Sequence, residues 1–289
     1  MGLATARPSQ DIHAAFVKWA ESRIENDRER AVFARMASRS GIAHRFAVLP
    51  ATPDGGSPVS PGGFYAGDDP TTAARMALYA EHAPALALQA IGGLAKDLST
   101  VTHLVVASCT GFVAPGVDQI IARQLGLSPS VERLLVGFMG CYAAVTALRS
   151  AAHIVRSQPE ARVLVVTVEL SSLHLNRTGS IESLLAMLQF GDGAAAALVC
   201  ADGPGLSVEA PFATTLPESE DLIRWDIGDN GFEMHLSGQV PGRIADALRD
   251  PDLVTTLAGG APTDVDAWAV HAGGRSILDA VEQGLSLAP

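Results

Sequence analysis

Nucleophile and base candidates are few in this chain of 289 residues: cysteines at 109, 141 and 200, and eight histidines. Cys141 stands out by its surroundings. The segment LLVGFMGCYAAV (134–145) runs from an apolar stretch through Gly137 and Gly140 into an alanine-rich one, the pattern of a buried strand turning into a helix. That puts Cys141 at a helix N-terminus, where unpaired N–H groups and the macrodipole favour the nucleophilic thiolate. Gly140 lets the backbone turn sharply and brings a substrate close. A free cysteine is otherwise a small buried hydrophobe, so the thiol needs a partner, a base or an imidazolium, to count as chemistry. His271 offers one. In WAVHAGGRS (268–276) it follows an expected strand and precedes Gly273-Gly274 at the opening of a helix, where its ring and backbone N–H groups can share a pocket. Alone, a strand-terminal histidine reads as a structural hydrogen-bonding residue; the pairing with Cys141 is the informative part.

Elements must hold these two residues together. Segment 10–37 reads as a charged helix with Phe16, Trp19, Ile24 and Phe33 as its apolar stripe, and 51–70, dense in glycine and proline, reads as a loop. Residues 71–98 read as one or two alanine-rich helices. An alternation follows: strand 103–107, helix 115–125, strand 133–138, helix 142–157, strand 162–169, helix 183–188, strand 193–200. Short apolar strands separated by amphipathic helices predict parallel pairing with helices on both faces, an α/β layered fold. After about 205 the pattern restarts less regularly, with helix 240–248, strand 266–270 and helix 276–285. A second sheet resembling the first needs further strands, so the second half is expected to be incomplete, the chain being a shortened piece.

Bulk properties narrow the function classes. With 48% hydrophobic residues the chain can bury a large core, and no run of about 18 uncharged apolar residues suggests a spanning helix. Twenty Lys and Arg against 31 Asp and Glu give a net charge of -11, which opposes binding to nucleic acid or to an anionic membrane. Three scattered cysteines are too few for a disulfide framework or a metal cluster, and a cytoplasmic setting is expected.

Five strings, in order, carry a family resemblance: SCTGF (108–112) with Pro115-Gly116, GCYAAVTALR (140–149), FGDGAAAALV (190–199), FEMHL (232–236) with Val240-Pro241, and AVHAGGRSILDAVEQGL (269–285). Over roughly 33–289 the chain resembles the type III polyketide synthases, the chalcone synthase-like enzymes of the thiolase-like condensing superfamily. The resemblance implies a thiolase-like layered α-β-α-β-α fold. Residues 1–204 would be the N-terminal half with the nucleophile, and 205–289 the start of an incomplete C-terminal half with the histidine.

What the resemblance implies residue by residue is as follows. Cys141 is acylated by a starter thioester, and malonyl-CoA is decarboxylated to an enolate that attacks it. His271 keeps the thiolate ionised and donates to the thioester carbonyl. The family's third catalytic residue, an asparagine in a GNxSS-like segment well beyond the histidine, has no counterpart before the sequence ends. Phe190 is the aromatic gatekeeper, and the second gatekeeping position holds Met234. Cavity-shaping positions hold Cys109, Ala114, His174 and Trp225, which do not match the chalcone-forming pattern. Cys109 resembles the cysteine of bacterial enzymes that make tetrahydroxynaphthalene, and Trp225 takes volume, so a short polyketide of pyrone, resorcinol or naphthalene type is expected. Arg35 and Arg39 match two CoA-binding positions, with Val32 at the third, and Ser276 sits where the pantetheine arm is contacted. The partners implied are acyl-CoA, malonyl-CoA and a second copy in a homodimer, with no metal and no cofactor beyond the CoA thioesters. Two other readings remain: a β-ketoacyl carrier-protein synthase, whose usual Ala-Cys context differs from Gly140-Cys141, and a non-catalytic homologue serving as a scaffold.

Overall fold

Apolar runs in mid-chain form one sheet, because their backbone N–H and C=O groups, once buried, can be satisfied only by neighbouring strands. In the computed structural model, which describes residues 2–94 and 96–287, the first strand is β1 (Gly2–Ala6). A small ribbon, β2 (Gln10–Asp11) with β3 (Phe46–Ala47), frames the N-terminal helices. In the main sheet β4 (His103–Ala107) lies between β5 (Glu132–Val136) and β6 (Val163–Leu170), parallel to both. β7 (Asp192–Val199) joins β6 antiparallel and β1 joins β7 antiparallel, giving the order β1-β7-β6-β4-β5.

The expectation of parallel pairing therefore holds for β4, β5 and β6 and fails for β7. A parallel neighbour needs a connection that crosses back over the sheet. The helix before β7, α6 (Ile181–Gln189), instead stays beyond the end of β6, packed on the N-terminal helices and on a later hairpin. The chain re-enters the sheet at the end it left, with Leu170 opposite Asp192.

Both faces of the central strands β4 and β6 are covered, which explains why they read as continuous apolar runs, while the edge strand β5 is largely exposed. Leu104, Val106, Leu164, Val166 and Val168 face α3 (Thr72–Gly92) and α4 (Val117–Gln124), packing with Tyr79, Leu86, Ala87 and Ile121. Val105, Ala107, Val163 and Val165 face α5 (Ala143–Ser157) and meet Ala147, Ala151 and Val155. The helix expected over 71–98 is α3; Ala95, within that span, lies outside the described residues, as does the terminal Pro289. Residues 51–70 hold no helix or strand, in keeping with their turn chemistry.

Three expectations are corrected. Segment 10–37 is two helices, α1 (His13–Arg23) and α2 (Asp27–Arg39), because Ile24 turns extended and Asn26 caps the second, its side chain accepting from Arg28 N at 2.9 Å and Glu29 N at 3.2 Å. Residues 223–236, not expected as strands, form the hairpin β8 (Ile223–Gly228) and β9 (Gly231–Leu236). The strand expected at 266–270 is absent: no described strand pairs with it, and a strand without a partner leaves its backbone groups unsatisfied. Around it stand α7 (Val240–Ala247), α8 (Pro251–Ala258) and α9 (Arg275–Gly284), with α7 packed on α9.

Candidate active site

The β5-to-α5 connection delivers Cys141 as the strand–turn–helix pattern demands, with one difference. A short 3-10 turn, Gly140–Tyr142, stands between the sheet and α5, so the thiol lies just before the helix proper. Gly140 has φ 70, a left-handed conformation that favours glycine, and Phe138 is held at φ 56 nearby. Residue Cys141 is exposed, yet the protein packed around its sulfur pushes the thiol above its ordinary value, with Glu169 and then Cys109 adding to the shift. The expectation that the helix end would favour the thiolate is thus outweighed. A helix terminus contributes about 0.3–1 kcal/mol, less than desolvation and a carboxylate neighbour can remove.

That carboxylate is the residue that sequence reasoning passed over. Glu169, near the end of β6, accepts from Cys109 N at 2.9 Å, Thr110 N at 3.0 Å and Thr110 Oγ1 at 2.7 Å. Thr110 Oγ1 in turn accepts from Leu170 N at 2.8 Å, and Tyr79 donates its hydroxyl to Ser108 Oγ at 2.7 Å on the adjoining loop. Burial pushes Glu169 up to about 7 against these hydrogen bonds. Cys109 is raised by burial and by Glu169, while the backbone N–H groups of Gly140, Met139 and Phe138 act the other way, so the loop of Cys109 and the turn of Cys141 meet. The available signal was a charged residue in a strand that is apolar but for one threonine, VLVVTVEL.

Four of the candidate substrate-binding residues, His174, Phe190, Trp225 and Met234, line one cavity. His174 comes from the 3-10 turn after β6, Phe190 from the α6–β7 corner, and Trp225 and Met234 are cross-strand partners on the hairpin. Phe16 of α1, Met187 of α6 and Phe232 of β9 add apolar surface. At one side Arg45 donates to the carbonyls of Met187 and, at 2.9 Å, Phe190, anchoring the corner that carries Phe190. Asp192, pushed up to about 6 by burial, accepts from Ser172 N, Ser172 Oγ and Val48 N and locks the start of β7 to the loop bearing His174.

The remaining candidates lie elsewhere. Ala114 is exposed before the cis Ala114-Pro115 bond, outside the cavity lining. Arg35 and Arg39 are exposed on α2, and Ser276 is exposed in the first turn of α9. His271 is exposed on the irregular stretch 265–274, and no described contact joins its ring to Cys141. Its loop approaches the Phe190 corner instead: a Cβ on Gly274 would stand 2.6 Å from Gln189 Oε1, which would have to move, and the φ of 123 itself favours glycine. Cys200, at the far end of β7, gives its thiol to Asp202 O at 2.9 Å. Among the described residues no group of three or more His, Cys, Asp or Glu is placed to hold a metal ion, and no helix is long and apolar enough to cross a membrane.

Comparison with known proteins gives these features a context. Residues 4–203 match the family model "Chalcone and stilbene synthases, N-terminal domain", and residues 208–289 match the corresponding C-terminal domain. The chain is 37% identical over 228 residues to the "Alpha-pyrone synthesis polyketide synthase-like Pks18" of Mycobacterium tuberculosis, an alignment covering 74% of this chain and 58% of that protein. It is 33% identical over 279 residues to the bisdemethoxycurcumin synthase of rice, covering 89% of this chain and 67% of the relative. The chain thus spans little more than half the length of the mycobacterial relatives. Its fold is similar to the crystal structure of 1,3,6,8-tetrahydroxynaphthalene synthase from Streptomyces coelicolor, with TM-score 0.85 at 25% identity over 99% of this chain and 81% of that one.

Proposed function

Since the chain belongs to the chalcone and stilbene synthase family of type III polyketide synthases, we propose that it is an acyltransferase whose nucleophile is Cys141. The Cys141 thiolate attacks the carbonyl of an acyl-CoA starter and releases CoA as its thiol. Loss of CO2 from malonyl-CoA then yields an enolate, which attacks the Cys141 thioester, expels the Cys141 thiolate and leaves the chain, two carbons longer, on CoA. The product is a short polyketide that closes as a pyrone, resorcinol or naphthalene, and the α-pyrone relative supports the first. His271 assists ionisation and holds the thioester carbonyl. Arg35, Arg39 and Ser276 bind the CoA portion, and Phe190, Met234, Trp225, His174, Cys109 and Ala114 shape the acyl cavity. The working form is a cytoplasmic homodimer that needs no cofactor beyond CoA thioesters.

One observation carries this reading: the Cys141 turn meets the Cys109 loop, whose Thr110 is bonded to His174 in the wall of the apolar cavity. The test is intact-protein mass spectrometry after incubation with an acyl-CoA. One adduct is expected on the wild type and none on Cys141→Ala; an adduct that persists at Cys109 or Cys200 defeats the assignment. Supplying malonyl-CoA against malonyl-carrier protein separates this reading from a carrier-protein synthase, because only the former should extend from the CoA ester.

A further inference from the structure

His174 lies in the cavity wall, and the protein already uses both of its ring nitrogens. A carbonyl only accepts, so Nε2, 2.6 Å from Thr110 O, carries the proton; a backbone amide only donates, so Nδ1, 3.0 Å from Phe232 N, is bare. The ring is therefore a neutral imidazole of one tautomer, with no N–H left to offer a substrate. Phe232 stacks on it with centroids 4.3 Å apart and planes 13° apart, and Trp225 meets it edge-on at 5.7 Å. Its position matters because of what it joins. Thr110 belongs to the Glu169 network beside Cys109, while Phe232 lies on β9 two residues before Met234, the partner of Trp225.

Besides the packing of β9 on α6, the hairpin is held by hydrogen bonds at its tip. Thr72 N donates to Asp229 O at 2.7 Å, Gly231 N donates to Thr72 Oγ1 at 2.8 Å, and Asn230 Nδ2 donates to Asp69 O at 3.0 Å. The face turned away from Trp225 and Met234 carries Arg224, Asp226, Glu233 and His235, all exposed, so it adds little restraint. In the body of the hairpin, the hydrogen bond from Phe232 to His174 links β9 to the nucleophile side.

We propose that His174 is a positioning residue: by bridging Thr110 and Phe232 it sets how far the Trp225–Met234 hairpin stands from the nucleophile side, and so the length of acyl chain the cavity admits. This rests on the acyl-loading reading above. Volume alone is the competing account, and two substitutions separate them. In His174→Gln the amide nitrogen and oxygen are about as far apart as the two imidazole nitrogens and can replace both bonds. His174→Leu keeps an apolar bulk and makes neither.

The experiment has two readouts. Nitrogen-15 NMR of the labelled wild type should show His174 as the Nε2–H neutral tautomer down to about pH 5, since burial lowers the ring to about 4. The groups facing it are the Thr110 carbonyl, the Phe232 amide and two aromatic rings, with Arg75, bonded to Leu173 O and Leu175 O, as the near cation. Next, wild type and both variants load onto Cys141 from a mixture of acyl-CoA starters of graded length, read by mass. His174→Leu should shift the long-to-short ratio by about fivefold or more and His174→Gln by less than about twofold. The Phe232 amide should exchange about tenfold faster in His174→Leu only. A ring that titrates above pH 6, or the same starter profile in both variants, overturns the proposal. If the wild type loads no acyl group, the loading reading fails, while the tautomer and the Phe232 exchange rate still decide whether His174 is the strut.

Discussion

Behind the Cys141 turn the central strands β4 and β6 are buried on both sides, with Leu104 and Leu164 at 0% exposure, although the edge strand β5 that leads to it is largely exposed; around His271 the chain from 265 to 274 has no helix or strand and mixes exposed and half-buried residues. Among the described residues beyond 205, the buried apolar side chains are Phe232, Val240, Ala245, Val254, Ala280 and Leu285. The thiol thus rides on a framework that close packing holds in one geometry. The histidine segment passes the Gln189 side chain at Gly274 and runs into α9, which packs on α7. The β8–β9 hairpin lies between these extremes, packed on α6 and tied down at its tip and through His174.

The largest effect should come from the framework itself. Leu164→Ala empties a fully buried site between β6 and α3 and should cost about 2–5 kcal/mol, whereas Leu257→Ala on α8, 43% exposed, should change stability by less than about 0.5 kcal/mol. Urea unfolding measures both, and equal losses would break the contrast between the two regions.

Next comes the buried charge beside the thiols. Glu169 at about 7 and Asp192 at about 6 are raised by burial, so between about pH 4 and 7 the folded state holds protons that the unfolded chain releases, and stability falls as pH rises. His174, lowered to about 4 by burial, acts in the opposite sense: the unfolded chain binds the extra proton up to about pH 6.5, so stability is gained as pH rises through that window. Glu169→Gln removes one loss. Its unfolding free energy should therefore climb more steeply from pH 5 to 7 than that of the wild type, by about 1–3 kcal/mol. The same variant should lower the pH at which Cys141 is alkylated, because a negative neighbour opposes the thiolate. Parallel stability curves and an unmoved alkylation profile would remove Glu169 from the site.

Trp225→Gly tests the hairpin as a wall. Removing the indole that faces His174 and Phe232 should open the cavity and shift starter preference toward longer chains by about tenfold, seen in competition loading. Unchanged preference would mean that the cavity is not where the acyl chain goes. The smallest expected effect is at the surface: Arg35→Ala and Arg39→Ala, exposed and one turn apart on α2, should each raise KM for acyl-CoA by about two- to fivefold, more at low salt. Insensitivity to salt would place the CoA phosphates elsewhere.

Local pattern by itself determined much of this protein. Strand 103–107 was readable to the residue, and β5, β6 and β7 to within two residues at either end; for β4, β6 and β7 this is because buried strands leave an apolar signature between turn residues, while β5, largely exposed, was marked by its apolar LLV and the glycine after it. The Cys141 turn was readable for a similar reason, since glycine between a strand and an alanine-rich helix can do little else. Pairing was not readable. Whether β7 runs with or against β6 depends on where α6 packs, and the sequence from 171 to 191 carries no local sign of it. Residues 266–270 are apolar enough for a strand but lack a described neighbour to bond with. The network of Glu169, Thr110, His174 and Phe232 joins residues separated by 58 to 64 positions, each ordinary in its own segment. Tertiary structure decided the acidity of Cys141 too, because a pKa follows from the water excluded and the charges brought near. A hydrogen bond or a desolvated carboxylate is a property of groups brought together across the fold, and spacing along the chain encodes only what lies within a turn or two.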